Sequence, residues 1–215
     1  MHICFRIYLT MNYPAIAPAH TFSYSEYFDF TEQTANGEFL AIHPLPPEKI
    51  EAAKMNVQRM KRIYKTFQPS QQVIELLQKI PGNMQWTIIA EPWCGDGAQN
   101  IPVLAKIASM SDKIELRIIL RDENPAIMEA FLTDGKKAIP KLICMDPNQH
   151  KLVGTWGARP FNMQQLFVQC KEVSGRSKED CLKELHSFYA KDHGESLQQE
   201  ITALLENWVK EKGAH

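Results

Sequence analysis

Trp86-Thr87-Ile88-Ile89-Ala90-Glu91-Pro92-Trp93-Cys94-Gly95-Asp96-Gly97 is the most informative stretch of this chain. Residues 86–90 form a short apolar run, the pattern of a strand buried on both faces. Cys94-Gly95-Asp96-Gly97 reads as a turn, and residues 100–110 read as a helix. A cysteine between a strand and a helix N-terminus faces unpaired backbone N–H groups and the positive end of the helix dipole. Both favour thiolate over thiol and can bring a cysteine from ~8.5 toward neutrality. Cys94 is therefore expected to be a reactive nucleophile.

Downstream, the periods alternate. Strands are predicted at 114–120, 141–145 and 151–156, and helices at 125–132 and 162–173, with Asp146-Pro147-Asn148 as a turn. The order β-α-β-α-β-β-α predicts an α/β fold with a parallel core and an antiparallel closing hairpin. Upstream, Pro47 and Glu48 suit a first helical turn. Apolar positions at Ile50, Ala53, Val57, Met60, Tyr64 and Phe67 then draw one helical stripe. A further helix is predicted after Ser70, ending at Pro81-Gly82. Beyond residue 174 two more helices are predicted, capped by Ser177 and Ser196, which pack on the core or on a second subunit as a homodimer face. Residues 1–46 read as irregular, with the aromatics Tyr24, Tyr27, Phe28 and Phe30 left unplaced. The organisation is thus 1–46 irregular, 47–82 helical, 83–173 the α/β domain and 174–215 helical.

Composition narrows the function classes. The 215 residues carry a formal charge of −1, which lacks the basic footprint of a nucleic-acid binder. No segment reaches the ~20 apolar residues of a membrane span. The five cysteines, Cys4, Cys94, Cys144, Cys170 and Cys181, are odd in number and show no C-x-x-C spacing. That argues against a secreted disulfide framework and for a reducing cytoplasm. Cys144, Cys170 and Cys181 are expected to be buried structural thiols. The apolar run near the N-terminus is short and broken by Arg6, Asn12 and Pro14, a poor signal-peptide core, and Met11 is an alternative start. The histidines show no metal-ligand spacing, so no metal is expected.

Four motifs together resemble the thioredoxin family. They are Trp93-Cys94-Gly95, the Asp122-Glu123-Asn124-Pro125 helix opening, Ala138-Ile139-Pro140 before the third strand, and Gly154 in the last strand. The resemblance implies a thioredoxin-like fold, a central mixed sheet flanked by helices, here with helical N- and C-terminal extensions. It implies a cis Pro140 beside Cys94. The chain looks most like a bacterial branch with a single-cysteine Trp-Cys-Gly-Asp motif. It departs from the family where a resolving cysteine would stand, at Gly97, and where a buried acid would stand, at Ile88.

The expected activity is monothiol exchange or deglutathionylation at Cys94 in redox homeostasis. Glu91 would assist proton movement, and Trp93, Gly95, Asp96, Ile139, Pro140, Trp156 and Arg159 would line the substrate groove. The partner would be a protein disulfide or a low-molecular-weight thiol, with glutathione as a co-substrate and no resident cofactor. The alternative is a redox-inactive binding module using the same groove.

Overall fold

The computed structural model describes residues 18, 20–38 and 44–213. The N-terminal signal and alternative-start readings lie outside these residues. Within the segment 1–46 the described residues carry the aromatics Tyr24, Tyr27, Phe28 and Phe30 on a helix. A 13-residue helix, α1 (Tyr24–Asn36), begins where Ser23 and Glu26 cap each other's backbone N–H groups and ends at Gly37 in the left-handed conformation. Just before it, Phe22 exchanges both backbone hydrogen bonds with Ile118 at 2.8 Å, which ties the N-terminal segment to the sheet edge.

Two helices follow, α2 (Pro47–Thr66) and α3 (Gln71–Gln78). The α/β unit then runs β1 (Met84–Ala90), α4 (Gly95–Ala108), β2 (Ile114–Leu120), α5 (Pro125–Ala130), β3 (Lys141–Asp146), β4 (Lys151–Gly157) and α6 (Phe161–Val168). The last of these passes into a π-helical turn at Gln169–Val173, so the single helix expected at 162–173 is two segments. The C-terminal extension is α7 (Lys178–Asp192) and α8 (Glu195–Gly213).

The sheet order is β2-β1-β3-β4. Only β1 and β2 run parallel, because a helix joins them; β3 pairs antiparallel with both β1 and β4. The parallel part is thus one strand pair. Alternation along β1 and β3 divides the core into two layers. Trp86, Ile88, Ala90, Leu142 and Cys144 face α4 and α8 residues such as Ile101, Leu104, Ile201 and Trp208. Ile89 and Ile143 face Met128, Phe131, Ile139 and Cys94 on the other side. A satellite cluster, Met163, Leu185 and Tyr189, joins α6 to α7.

The cysteine reading needs one correction. Cys170 and Cys181 form a disulfide between the π-helical turn and α7, with 5.7 Å between Cα atoms. The expected domain boundary at 173 is therefore crossed by a covalent link. Among the described residues no helix is long and apolar enough to cross a membrane.

Candidate active site

Cys94 is the N-cap of α4. Its backbone N–H donates to the Glu91 carbonyl at 2.9 Å, which closes the turn after β1. Its Sγ accepts from the Gly97 N–H at 3.3 Å, and the thiol donates to the Ile139 carbonyl at 3.3 Å. The Ile139–Pro140 peptide is cis. The loop before β3 is thus held against the sulfur.

The electrostatics differ from the sequence expectation. Cys94 is 8% exposed, and burial, reinforced by the Asp96 carboxylate, pushes its thiol up to about 12. The Gly97 and Asp96 backbone N–H groups and Arg159 pull the other way and lose. The helix-terminus rule sees the local donors but not the segments that bury them.

Asp96 sits at the centre of a buried polar group. Its Oδ2 accepts from Arg159 Nε at 2.8 Å and its Oδ1 from the Tyr189 hydroxyl at 3.0 Å. Asn100 Nδ2 donates to the Asp96 carbonyl at 2.8 Å and to the Tyr189 oxygen at 3.1 Å. Arg159 also lies over the Phe167 ring at 4.4 Å. The segment after β4 thereby reaches the first turn of α4.

Helix α7 covers the same turn. A Cβ on Gly95 would stand 2.7 Å from His186 Cε1, so only glycine leaves room for that ring. Burial and the nearby Arg59 guanidinium bring His186 down to about 4. On the opposite side, Asn56 of α2 donates to the Pro92 carbonyl at 2.9 Å, and Tyr27 of α1 is buried, which holds its hydroxyl well above the usual value.

Glu91 is buried, and its Oε1 accepts from the Asp122 N–H at 2.9 Å. Burial raises its carboxyl to about 7. Trp93 is half-buried, with Lys49 Nζ 4.1 Å and the Arg121 guanidinium 4.9 Å from its ring. Trp156 stands apart from this group. It is 6% exposed, and its Nε1 donates to Glu200 of α8 at 2.7 Å. The structure therefore gathers Glu91, Trp93, Cys94, Gly95, Asp96, Ile139, Pro140 and Arg159 around one turn and ties Trp156 to the C-terminal helix.

Sequence reasoning missed Tyr189, His186, Asn100, Asn56 and Tyr27. His186 and Tyr189 are three apart on a face of α7 that also carries Leu182 and Leu185. That spacing marks an inward face but not what it covers. Among the described residues no three His, Cys, Asp or Glu side chains cluster as metal ligands.

A thioredoxin family model matches residues 45–174. The chain belongs to the thioredoxin family. The match takes in α2 and α3 as well as the α/β unit. Among solved structures, a protein of unknown function from Pseudomonas aeruginosa shares 21% identity, with 86% of this chain and 98% of that one covered and a TM-score of 0.51. An HIV epitope scaffold matches with the same identity and coverage and a TM-score of 0.53. These likenesses speak to the fold. No curated protein matches this thioredoxin-family chain.

Proposed function

We propose that this member of the thioredoxin family is a monothiol exchange protein of the single-cysteine Trp-Cys-Gly-Asp type, with Cys94 as its nucleophile. One observation carries the reading: Cys94 Sγ lies at the α4 N-terminus, 3.3 Å from both the Gly97 N–H and the Ile139 carbonyl. A sulfur so placed has a donor for its thiolate and a strand-like backbone edge for an incoming disulfide.

In the exchange, the Cys94 thiolate bonds to one sulfur of the substrate disulfide. The old S–S bond breaks, and the other half leaves as a thiolate that takes a proton. A second external thiol then attacks the mixed disulfide and restores Cys94. Gly97 excludes an internal resolving step within this turn, so the second thiol must come from outside or from a rearranged chain. Glu91, raised to about 7, suits a proton carrier near neutrality. Lys49 beside Trp93 favours an anionic partner, Arg121 being paired with Asp122 at 2.8 Å, and glutathione has that chemistry.

A thiol so buried is protonated at neutral pH. That burial is the observation behind the second reading, a redox-inactive binding module that uses the same groove. The test is incubation with oxidised glutathione, read by peptide mass at Cys94 with Cys94→Ser as control. A glutathione adduct on folded protein, formed at least when the Cys170–Cys181 pair has been reduced beforehand and released by excess thiol, is expected. An adduct that forms only in urea, whatever the state of the Cys170–Cys181 pair, would leave the binding module.

A further inference from the structure

We propose that the Cys170–Cys181 disulfide is a second redox site of this protein, and that its reduction by a thiol loosens α7 from the turn that carries Cys94. The inference rests on the exchange reading above and supplies the opening that a buried Cys94 requires.

The disulfide sits at the root of the cover. Cys181 is in the first turn of α7, and Cys170 is in the π-helical turn that ends α6. Farther along α7, His186 lies on Gly95 and Tyr189 bonds Asp96, the two residues that follow Cys94. The bridge therefore fixes the α6–α7 pair whose inner face closes the site. Its loop, residues 171–180, is exposed wherever its side chains are described. Local opening of that loop is the route by which a thiol reaches the sulfurs, Cys170 being the less buried at 7% against 1% for Cys181.

Two further features suit α7 to movement. Gly175, on the loop before it, has φ +62° with open space around it. Behind its C-terminal end, a cavity of ≈ 190 Å³ lies between α2, α4 and α7, with Gln99, Asn100 and Tyr189 in its lining. The Gln99 Oε1 is buried there without a hydrogen-bond partner among the described residues. The approach to α7 is thus open at its N-terminal side, and packing beside its C-terminal end is incomplete.

The chemistry balances with a low-molecular-weight thiol as reductant. Its thiolate bonds to Cys170 Sγ, the Cys170–Cys181 bond breaks, and Cys181 leaves as a thiolate and takes a proton. A second thiol attacks the mixed disulfide, which frees Cys170 and leaves the reductant as its own disulfide. The two electrons pass from two external thiols to one protein disulfide.

The test compares iodoacetamide labelling of Cys94 at pH 8 and hydrogen exchange of α7 amides in three samples: the oxidised protein, the protein reduced with dithiothreitol that is removed before labelling, and Cys170→Ser/Cys181→Ser. Labelling at least roughly tenfold faster, with faster exchange confined to α7 and its flanks, is expected in the second and third. Equal labelling rates and equal α7 protection, with circular dichroism unchanged, would overturn the proposal. Should the double variant unfold, the reduced wild type decides, with reoxidation expected to restore the slow rate. Iodoacetamide reports on the cover whether or not Cys94 exchanges with glutathione. A missing glutathione adduct alongside a disulfide-dependent labelling rate would therefore sink the exchange reading alone.

Discussion

Arg159 donates through Nε to Asp96 Oδ2 at 2.8 Å, and both side chains are largely shielded from water. The carboxylate that opposes the Cys94 thiolate is thus paired with a residue that follows β4. The pair links the two ends of the α/β unit across the first turn of α4. Replacing Asp96 with Asn removes the charge that, after burial, does most to suppress the Cys94 thiolate. Cys94 of Asp96→Asn is expected to titrate at lower pH and to alkylate faster at pH 8. Arg159 is then left buried without its carboxylate, so a stability loss of roughly 3 kcal/mol is expected in urea unfolding.

Gly97 occupies the place of the resolving cysteine. A Cβ there would stand 3.5 Å from Cys94 Cβ and 3.7 Å from its Sγ, ordinary contacts within the span of a disulfide. Gly97→Cys is expected to fold and, on mild oxidation, to form a bridge between Cys94 and the introduced thiol that protects both from alkylation. Independent alkylation of both after oxidation would show that the turn does not hold thioredoxin-like dithiol geometry.

Glu91 gives stability a pH dependence. Its folded value of about 7 lies above the ordinary carboxyl value, so the folded state binds the proton more tightly. The associated stability is fully present below the unfolded value and is lost as pH rises through about 7. Glu91→Gln keeps an acceptor for the Asp122 N–H and removes the charge. It is expected to raise the melting temperature at pH 8 but little at pH 4.5, with a gain at high pH on the order of 2–3 kcal/mol. A variant equally or less stable than wild type at pH 8 would contradict this burial account.

Helix α8 fits β4 where the strand has no side chain. A Cβ on Gly154 would lie 2.1 Å from Trp208 Nε1, so alanine cannot enter without moving a ring packed against Trp86. Gly154→Ala is expected to cost roughly 1–3 kcal/mol. Gly154→Ala/Trp208→Leu is expected to recover part of it in the same unfolding assay.

Legibility in the sequence followed the range of the interactions. The run 86–90 and the strand pair around Asp146-Pro147-Asn148 are local patterns and stand where the sequence puts them, whereas the residues read as a turn after Cys94 are already the first turn of α4, which runs Gly95–Ala108 rather than from residue 100. The α1 capping box, Ser23 with Glu26, is equally local but lies hidden among the aromatics. The Cys170–Cys181 pairing is out of reach because spacing alone does not specify connectivity. The thiol chemistry of Cys94 is misjudged from sequence for a related physical reason. Helix-terminus donors and the opposing Asp96 carboxylate are written next to the cysteine, whereas the burial that outweighs the donors is made by segments distant in sequence. The gathering of Glu91, Asp96, Ile139 and Arg159 follows from motifs, while the cover by His186 and Tyr189 emerges only in the tertiary structure.

The central claim is that Cys94 is a protected thiol that becomes an exchange nucleophile when its cover loosens. The most direct measurement is the pH profile of Cys94 alkylation in folded protein, taken with the Cys170–Cys181 bridge intact and again after its reduction. With the bridge intact the apparent value is expected far above ~8.5, and with it reduced a downward move of at least about one unit is expected. A Cys94 that resists alkylation in both states until the fold is lost would contradict the claim.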